Sequence, residues 1–184
     1  MSPVRAGVHK YSAAMTPHDE PAAMASLDGP PGTSGGSIYV SSGRTAAMVV
    51  LVPVDDSNPS RAALERAVRD HPDAELLLLH VVNPGQIVLV GGLGDLDAAM
   101  DGAQADADSL LAEAASLATE RGVEVETEVA YGRPARVIVE YAELEEVEHV
   151  VLGSHGRDGP ARVLLGSVAE SVVRRSPVPV TVVR

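Results

Sequence analysis

The residues most able to do chemistry lie in one stretch, GSHGRDGPARVLLGSVAESVV, running from Gly153 to Val173. Gly153 and Gly156 follow an apolar strand-like run, nine residues intervene, and Gly166 with Ser167 opens a helical pattern. Glycines at such a corner let the backbone approach a ligand closely, and a helix start offers unpaired N–H groups at the positive end of its dipole. Together they describe a cradle for phosphate. Ser167 can cap its helix and also donate a hydroxyl to a phosphate oxygen. Arg157 can supply charge, and Asp55, at the end of an earlier strand, can accept from ribose or adenine.

Other reactive types are thinly spread. His80 falls inside an apolar strand and reads as a satisfied core or interface histidine. His155 stands closer to the cradle but has no acid partner identifiable by spacing, so no catalytic residue is assigned. His9, His18, His71 and His149 show no metal-ligand spacing, and no metal site is assigned. The only lysine is Lys10, which leaves no Walker motif. Gly91, Gly92 and Gly94 read as a turn or lid. Arg174 and Arg175 suit the last turn of a helix, where cations meet the negative end of the dipole. Glu140, Glu143, Glu145, Glu146 and Glu148 read as a solvated face.

Positioning these residues requires a regular alternation of elements. Residues 46–54 (AAMVVLVPV) form a continuous apolar strand. A helix follows, with Ser57 or Asn58 as cap and Pro59 in its first turn. A second apolar strand, AELLLLHVV, leads through a glycine-rich connection to a long helix from about Leu96 to Glu120, stopped at Gly122. In VEVETEVAY, Val123, Val125, Thr127 and Val129 alternate with Glu124, Glu126 and Glu128, the pattern of a strand near a sheet edge. The helix ARVIVEYAEL, the strand HVVLGS, the helix SVAESVVRRS and the strand PVTVV complete a βαβαβαβαβ order. Apolar strands alternating with helices imply an α/β fold, a mostly parallel sheet covered on both faces and wound by right-handed crossovers. Ligands of such sheets sit beyond the carboxyl ends of the strands, where Asp55, Asp56, Asn83 and Gly153 to Gly159 fall.

The chain has 184 residues, enough for one domain with some excess. Residues 1–45, rich in Gly, Pro, Ser, Ala and Met, read as a disordered N-terminal tail, and 46–184 as the domain. The tail's three acids (Asp19, Glu20, Asp28) balance three bases (Arg5, Lys10, Arg44), so the whole net charge of −12 falls on the domain. That charge argues against a nucleic-acid or anionic-membrane partner. No apolar run approaches a membrane span, and a cytoplasmic location is expected. With no Cys, Trp or Phe, cysteine chemistry is excluded and Val, Leu and Ala must fill the core.

On these residues the chain resembles the universal stress protein family, whose nucleotide-binding members carry G-x2-G-x9-G-[ST]; Gly153, Gly156, Gly166 and Ser167 fit without a gap. PVDDSNPSRAAL is similar to that family's first strand end and helix, YGRPARVIVEYAE to its third crossover and SPVPVTVV to its closing strand, over about residues 46–184. The resemblance implies a five-stranded sheet of order 3-2-1-4-5 with helices on both faces, similar to adenine nucleotide alpha hydrolases. It implies ATP with Mg²⁺ as ligand. Val54, Asp55, Val81 and Leu152 would contact the nucleoside, and Gly153, Gly156, Gly166, Ser167 and Val168 would line ribose and phosphates. It further implies a homodimer through residues 178–183 and a nucleotide-dependent regulatory or stress-tolerance role, with a regulatory protein as partner. Asp56 in place of a commoner glycine and Pro160 in the loop depart from the family pattern; Asp56 is expected to face solvent. The alternatives are a slow ATPase or nucleotidyl-transfer enzyme of the same fold, with His155 or Asp56 near the phosphates, and a partner-binding module with an empty pocket.

Overall fold

The computed structural model describes residues 5–6, 48–85, 96–144, 146–155 and 165–184. The expected disordered tail lies outside the described residues except for Arg5 and Ala6, as do the Gly91–Gly94 turn, Glu145, Gly156, Arg157 and Pro160. Met1–Gly7 and Ala47–Arg184 form one compact unit, and Val8–Ala46 is a separate one.

Within the first unit the strands are β1 (Val49–Pro53), β2 (Glu75–Val82), β3 (Glu124–Tyr131), β4 (Val147–Gly153) and β5 (Val180–Val183). The helices are α1 (Asn58–Asp70), α2 (Leu96–Thr119), α3 (Pro134–Ala142) and α4 (Ser167–Arg175). The five strands lie in the order 3-2-1-4-5, every described pair parallel, as the alternation of elements required. One addition lies beyond the expected pattern: Arg5–Ala6 pairs parallel with the outer side of β3, Arg5 opposite Glu126 and Ala6 opposite Thr127. A two-residue strand leaves no periodicity to find in a sequence.

The continuous apolar runs of β1, β2 and β4 reflect burial on both faces. On one face Val50, Val52, Leu76 and Leu78 pack with Ala63, Leu64 and Ala67 of α1 and Leu111, Ala115 and Ala118 of α2. On the other, Leu51, Leu79, Val150 and Leu152 meet Val137 and Ile138 of α3 and Ala169 and Val172 of α4. Among the described residues the largest fully buried side chains are leucines, as a chain without Phe or Trp demands. β3 shows the expected half-buried character: Val125 is buried in the first core, Glu124 is exposed, and Glu126 and Glu128 are half-buried.

Turn chemistry fixes the element ends. Ser57 caps α1 by accepting the Ser60 N–H, with Pro59 in the first turn, which settles the choice between Ser57 and Asn58. Gly122 ends the α2 region at φ +82°, a conformation other residues rarely adopt. Arg174 lies in the last turn of α4 and pairs with Glu170 one turn back. Glu140, Glu143, Glu146 and Glu148 lie at least partly in solvent, as a solvated face should.

Leu78→Ala, at a fully buried position in the first core, is expected to cost about 2–5 kcal/mol in urea-induced unfolding, the range for a buried leucine truncated to alanine. Asp106→Ala, on the exposed side of α2, is expected to stay within about 0.5 kcal/mol.

Candidate functional site

The crossovers leave β1 and β4 in opposite directions, β1 toward β2 and β4 toward β5, so a crevice opens beyond their carboxyl ends. Gly153 ends β4 there with its backbone directly against the first turn of α1. A Cβ at Gly153 would stand 2.7 Å from the carbonyl carbon of Pro59 and 2.8 Å from the amide nitrogen of Ser60. Any side chain would therefore push α1 off the sheet.

The β1–α1 segment is held by hydroxyls. The Asp55 N–H donates to Ser60 Oγ at 2.9 Å, and the N–H and hydroxyl of Ser57 both donate to Asp55 Oδ1, at 3.0 and 2.5 Å. Asp55 is thus a helix-approach carboxylate bound by the cap residue, and the same bonds fix its orientation at the strand end. Val54 is tied on both sides: its N–H donates to the Leu79 carbonyl at 2.8 Å, and its carbonyl accepts from His80 Nδ1 at 2.8 Å. Since a carbonyl only accepts, His80 carries its proton on Nδ1. Asp56 is exposed, as expected.

Across the crevice, Ser154 is buried, its N–H donating to the Val183 carbonyl at 2.6 Å and its hydroxyl lying 2.9 Å from His155 Nδ1. The Gly166 N–H donates to the Ser154 carbonyl at 2.7 Å, closing the base of the loop between them. A Cβ at Gly166 would stand 3.0 Å from His155 Cα, so this glycine also permits a close backbone approach. Gly166 occupies the cap position of α4 with no side-chain capping bond, which corrects the expectation that Ser167 caps the helix. Ser167 is the first helical residue and is exposed, so its hydroxyl is not spent on capping.

The structure thus brings Val54, Asp55, Gly153, Gly166 and Ser167 to the carboxyl ends of two adjacent strands, whereas Gly156 and Arg157 lie outside the described residues. Leu152 is buried in the second core and Val168 packs against it half-buried. Val81, in β2, also packs on that core. Sequence spacing missed the supporting roles of Ser60 and Ser154, whereas His80, read as a satisfied histidine, is bonded to the Val54 carbonyl. Of the two serines only Ser60 left a trace, as the second serine of SNPS. Among the described residues no group of three or more His, Asp or Glu side chains could hold a metal ion.

Comparison with known proteins bears on this geometry. Residues 47–184 match the model of the universal stress protein family. The chain is 33% identical over 137 residues to the universal stress protein MJ0531 of Methanocaldococcus jannaschii, covering 73% of this chain and 81% of that one. The solved structure of MJ0577 from the same organism superposes with a TM-score of 0.67 at 28% identity, covering 75% of this chain and 96% of that one. A universal stress protein solved in complex with cAMP superposes with a TM-score of 0.53 at 27% identity, covering 74% and 96%.

Two substitutions separate the scaffold from the cradle. Ser57→Ala removes the cap of α1 and an anchor of Asp55 and is expected to cost about 1–2 kcal/mol in chemical denaturation. Gly153→Ala places a methyl against backbone atoms of Pro59 and Ser60 and is expected to exceed that loss, since the obstruction is main chain and cannot rotate away.

Proposed function

The chain belongs to the universal stress protein family through residues 47–184, and from that premise we propose that it binds ATP with Mg²⁺ and acts as a nucleotide-dependent regulator. The observation that carries this reading is the side-chain-free apposition of Gly153 to α1 and of Gly166 to His155, at the foot of a nine-residue helix whose first N–H groups need acceptors. Such a corner suits an anion that must lie on the backbone itself. Ser167 and Val168 would present N–H groups, and Ser167 its hydroxyl, to the phosphates, while the Gly166 N–H stays on the Ser154 carbonyl. Asp55, with its orientation fixed by Ser57, would accept from the nucleoside. The relative solved with cAMP supports an adenine nucleotide as the ligand class.

Mg²⁺ would arrive with the phosphates and neutralise part of their charge, with phosphate oxygens and water supplying most of its ligands. On this reading the protein is a binding protein with at most slow hydrolysis. Of the two candidates near the phosphates, His155 has its Nδ1 within hydrogen-bond distance of Ser154 Oγ and Asp56 lies exposed to solvent. The proposal extends to a homodimer through residues 178–183, because β5 borders β4 on one side only among the described residues and all four of its side chains are half-exposed. A cytoplasmic location and a protein partner that senses the loaded state complete it.

Calorimetric titration with ATP, ADP, AMP, cAMP and GTP in Mg²⁺ buffer tests the reading. ATP is expected to bind with micromolar affinity, and Ser167→Ala to weaken it about 10-fold, the equivalent of ~1.4 kcal/mol. No binding at millimolar nucleotide would overturn it. Fast phosphate release lost in Asp55→Ala would make the protein an enzyme instead.

A further inference from the structure

At the opposite end of the sheet, three residues far apart in sequence form one polar chain. His149 Nδ1 of β4 lies 3.2 Å from His71 Nε2, at the C-cap of α1, and His149 Nε2 lies 3.0 Å from Thr181 Oγ1 of β5. The two rings meet edge to face with centroids 5.0 Å apart. Nucleotide binding at the carboxyl ends of the strands makes no use of these residues.

We propose that His71, His149 and Thr181 form a proton-sensitive latch that ties the end of α1 and the edge strand β5 to β4 and opens when both imidazoles carry a proton. With both rings neutral, one nitrogen of the facing pair carries the hydrogen and the other accepts it, while the threonine hydroxyl donates or accepts to suit the tautomer. A first proton leaves this arrangement intact, since an imidazolium N–H still faces a neutral ring nitrogen. A second proton sets two N–H groups and two positive charges against each other at a separation of 3.2 Å, and the contact becomes repulsive. The two steps belong to the pair rather than to either ring.

The surroundings favour the closed form near neutrality. Burial, and then the neighbouring His71, hold the His149 imidazole below its ordinary range, while Asp70 pulls the other way. Asp70 is itself engaged by Arg66, which with Arg69 keeps its carboxyl below the usual range. Asp73 lies in the turn after α1 and lines, with Met48, Asp70 and His71, a cavity of about 340 Å³ that gives protons access from solvent. Met48 before β1 and Thr181 on β5 do not titrate, and Glu148 is exposed beside His149 in sequence. Because the folded His149 binds its proton less readily than the unfolded chain, its contribution to stability is full above about pH 6.5. That contribution is lost as pH falls through the lower folded value. Whatever pairs with the outer side of β5 inherits this dependence.

Amide hydrogen exchange on the full chain at pH 7.5 and pH 5.0, corrected for intrinsic rates, tests the latch. Protection of Val180–Val183 is expected to fall about 10-fold at the lower pH, and His71→Gln, which keeps a polar partner but cannot titrate, is expected to abolish most of that fall. Thr181→Val leaves both rings in place and is expected to lower β5 protection already at pH 7.5. Far-UV circular dichroism establishes that each variant is folded. Equal β5 protection at the two pH values, or an unchanged pH dependence in folded His71→Gln, would overturn the proposal.

Discussion

The end of β4 touches the first turn of α1 with no side chain between them, and the architecture of the crevice depends on that contact. Gly153 lays its backbone directly against the point where Pro59 and Ser60 turn into the helix. Because α1 cannot back away without exposing its own core residues Ala63, Leu64 and Ala67, the strand end must be glycine. The serine network then has a fixed floor: Ser60 receives the Asp55 N–H, and Ser57 caps the helix while gripping the Asp55 carboxylate. One missing methyl group thus aligns a helix, a loop and a carboxylate at the place where a parallel sheet opens.

The proposed anion site on a chain of net charge −12 needs a physical account. Exposed carboxylates act weakly beyond about 10 Å at ordinary salt, whereas N–H groups at a helix start act at contact distance. Glu170, in the first turn of α4, is paired with Arg174. On the proposed reading the N–H groups of Ser167 and Val168 would set the local field more than the overall charge.

The two ends of the molecule are organised by different chemistry. At the carboxyl ends of the strands, hydroxyls and backbone amides hold the corner around Asp55 and Gly153. At the amino ends, a histidine pair joins α1, β4 and β5 where the edge strand is anchored by a single neighbour among the described residues. The same helix, α1, contributes its first turn to one end and its C-cap to the other. A change in its docking is therefore felt at both.

The alternation of apolar runs with helical periods determined the fold class and the order of the described strands and helices, because two-sided burial writes itself into composition one residue at a time. The spacing of Gly153, Gly166 and Ser167 likewise marked positions that the fold brings to the crevice, where Gly153 and Gly166 each leave no room for a side chain. Strand order came from resemblance rather than from periodicity, which says which residues are buried but not against which neighbour. Only the tertiary structure decided that Gly166 rather than Ser167 caps α4, that Ser60 and His80 hold the end of β1, that Arg5–Ala6 lies along β3, and that His71 meets His149. Most of these are contacts between groups distant in sequence, and the cap of α4 goes against the local preference for serine over glycine, so local pattern carries no record of them.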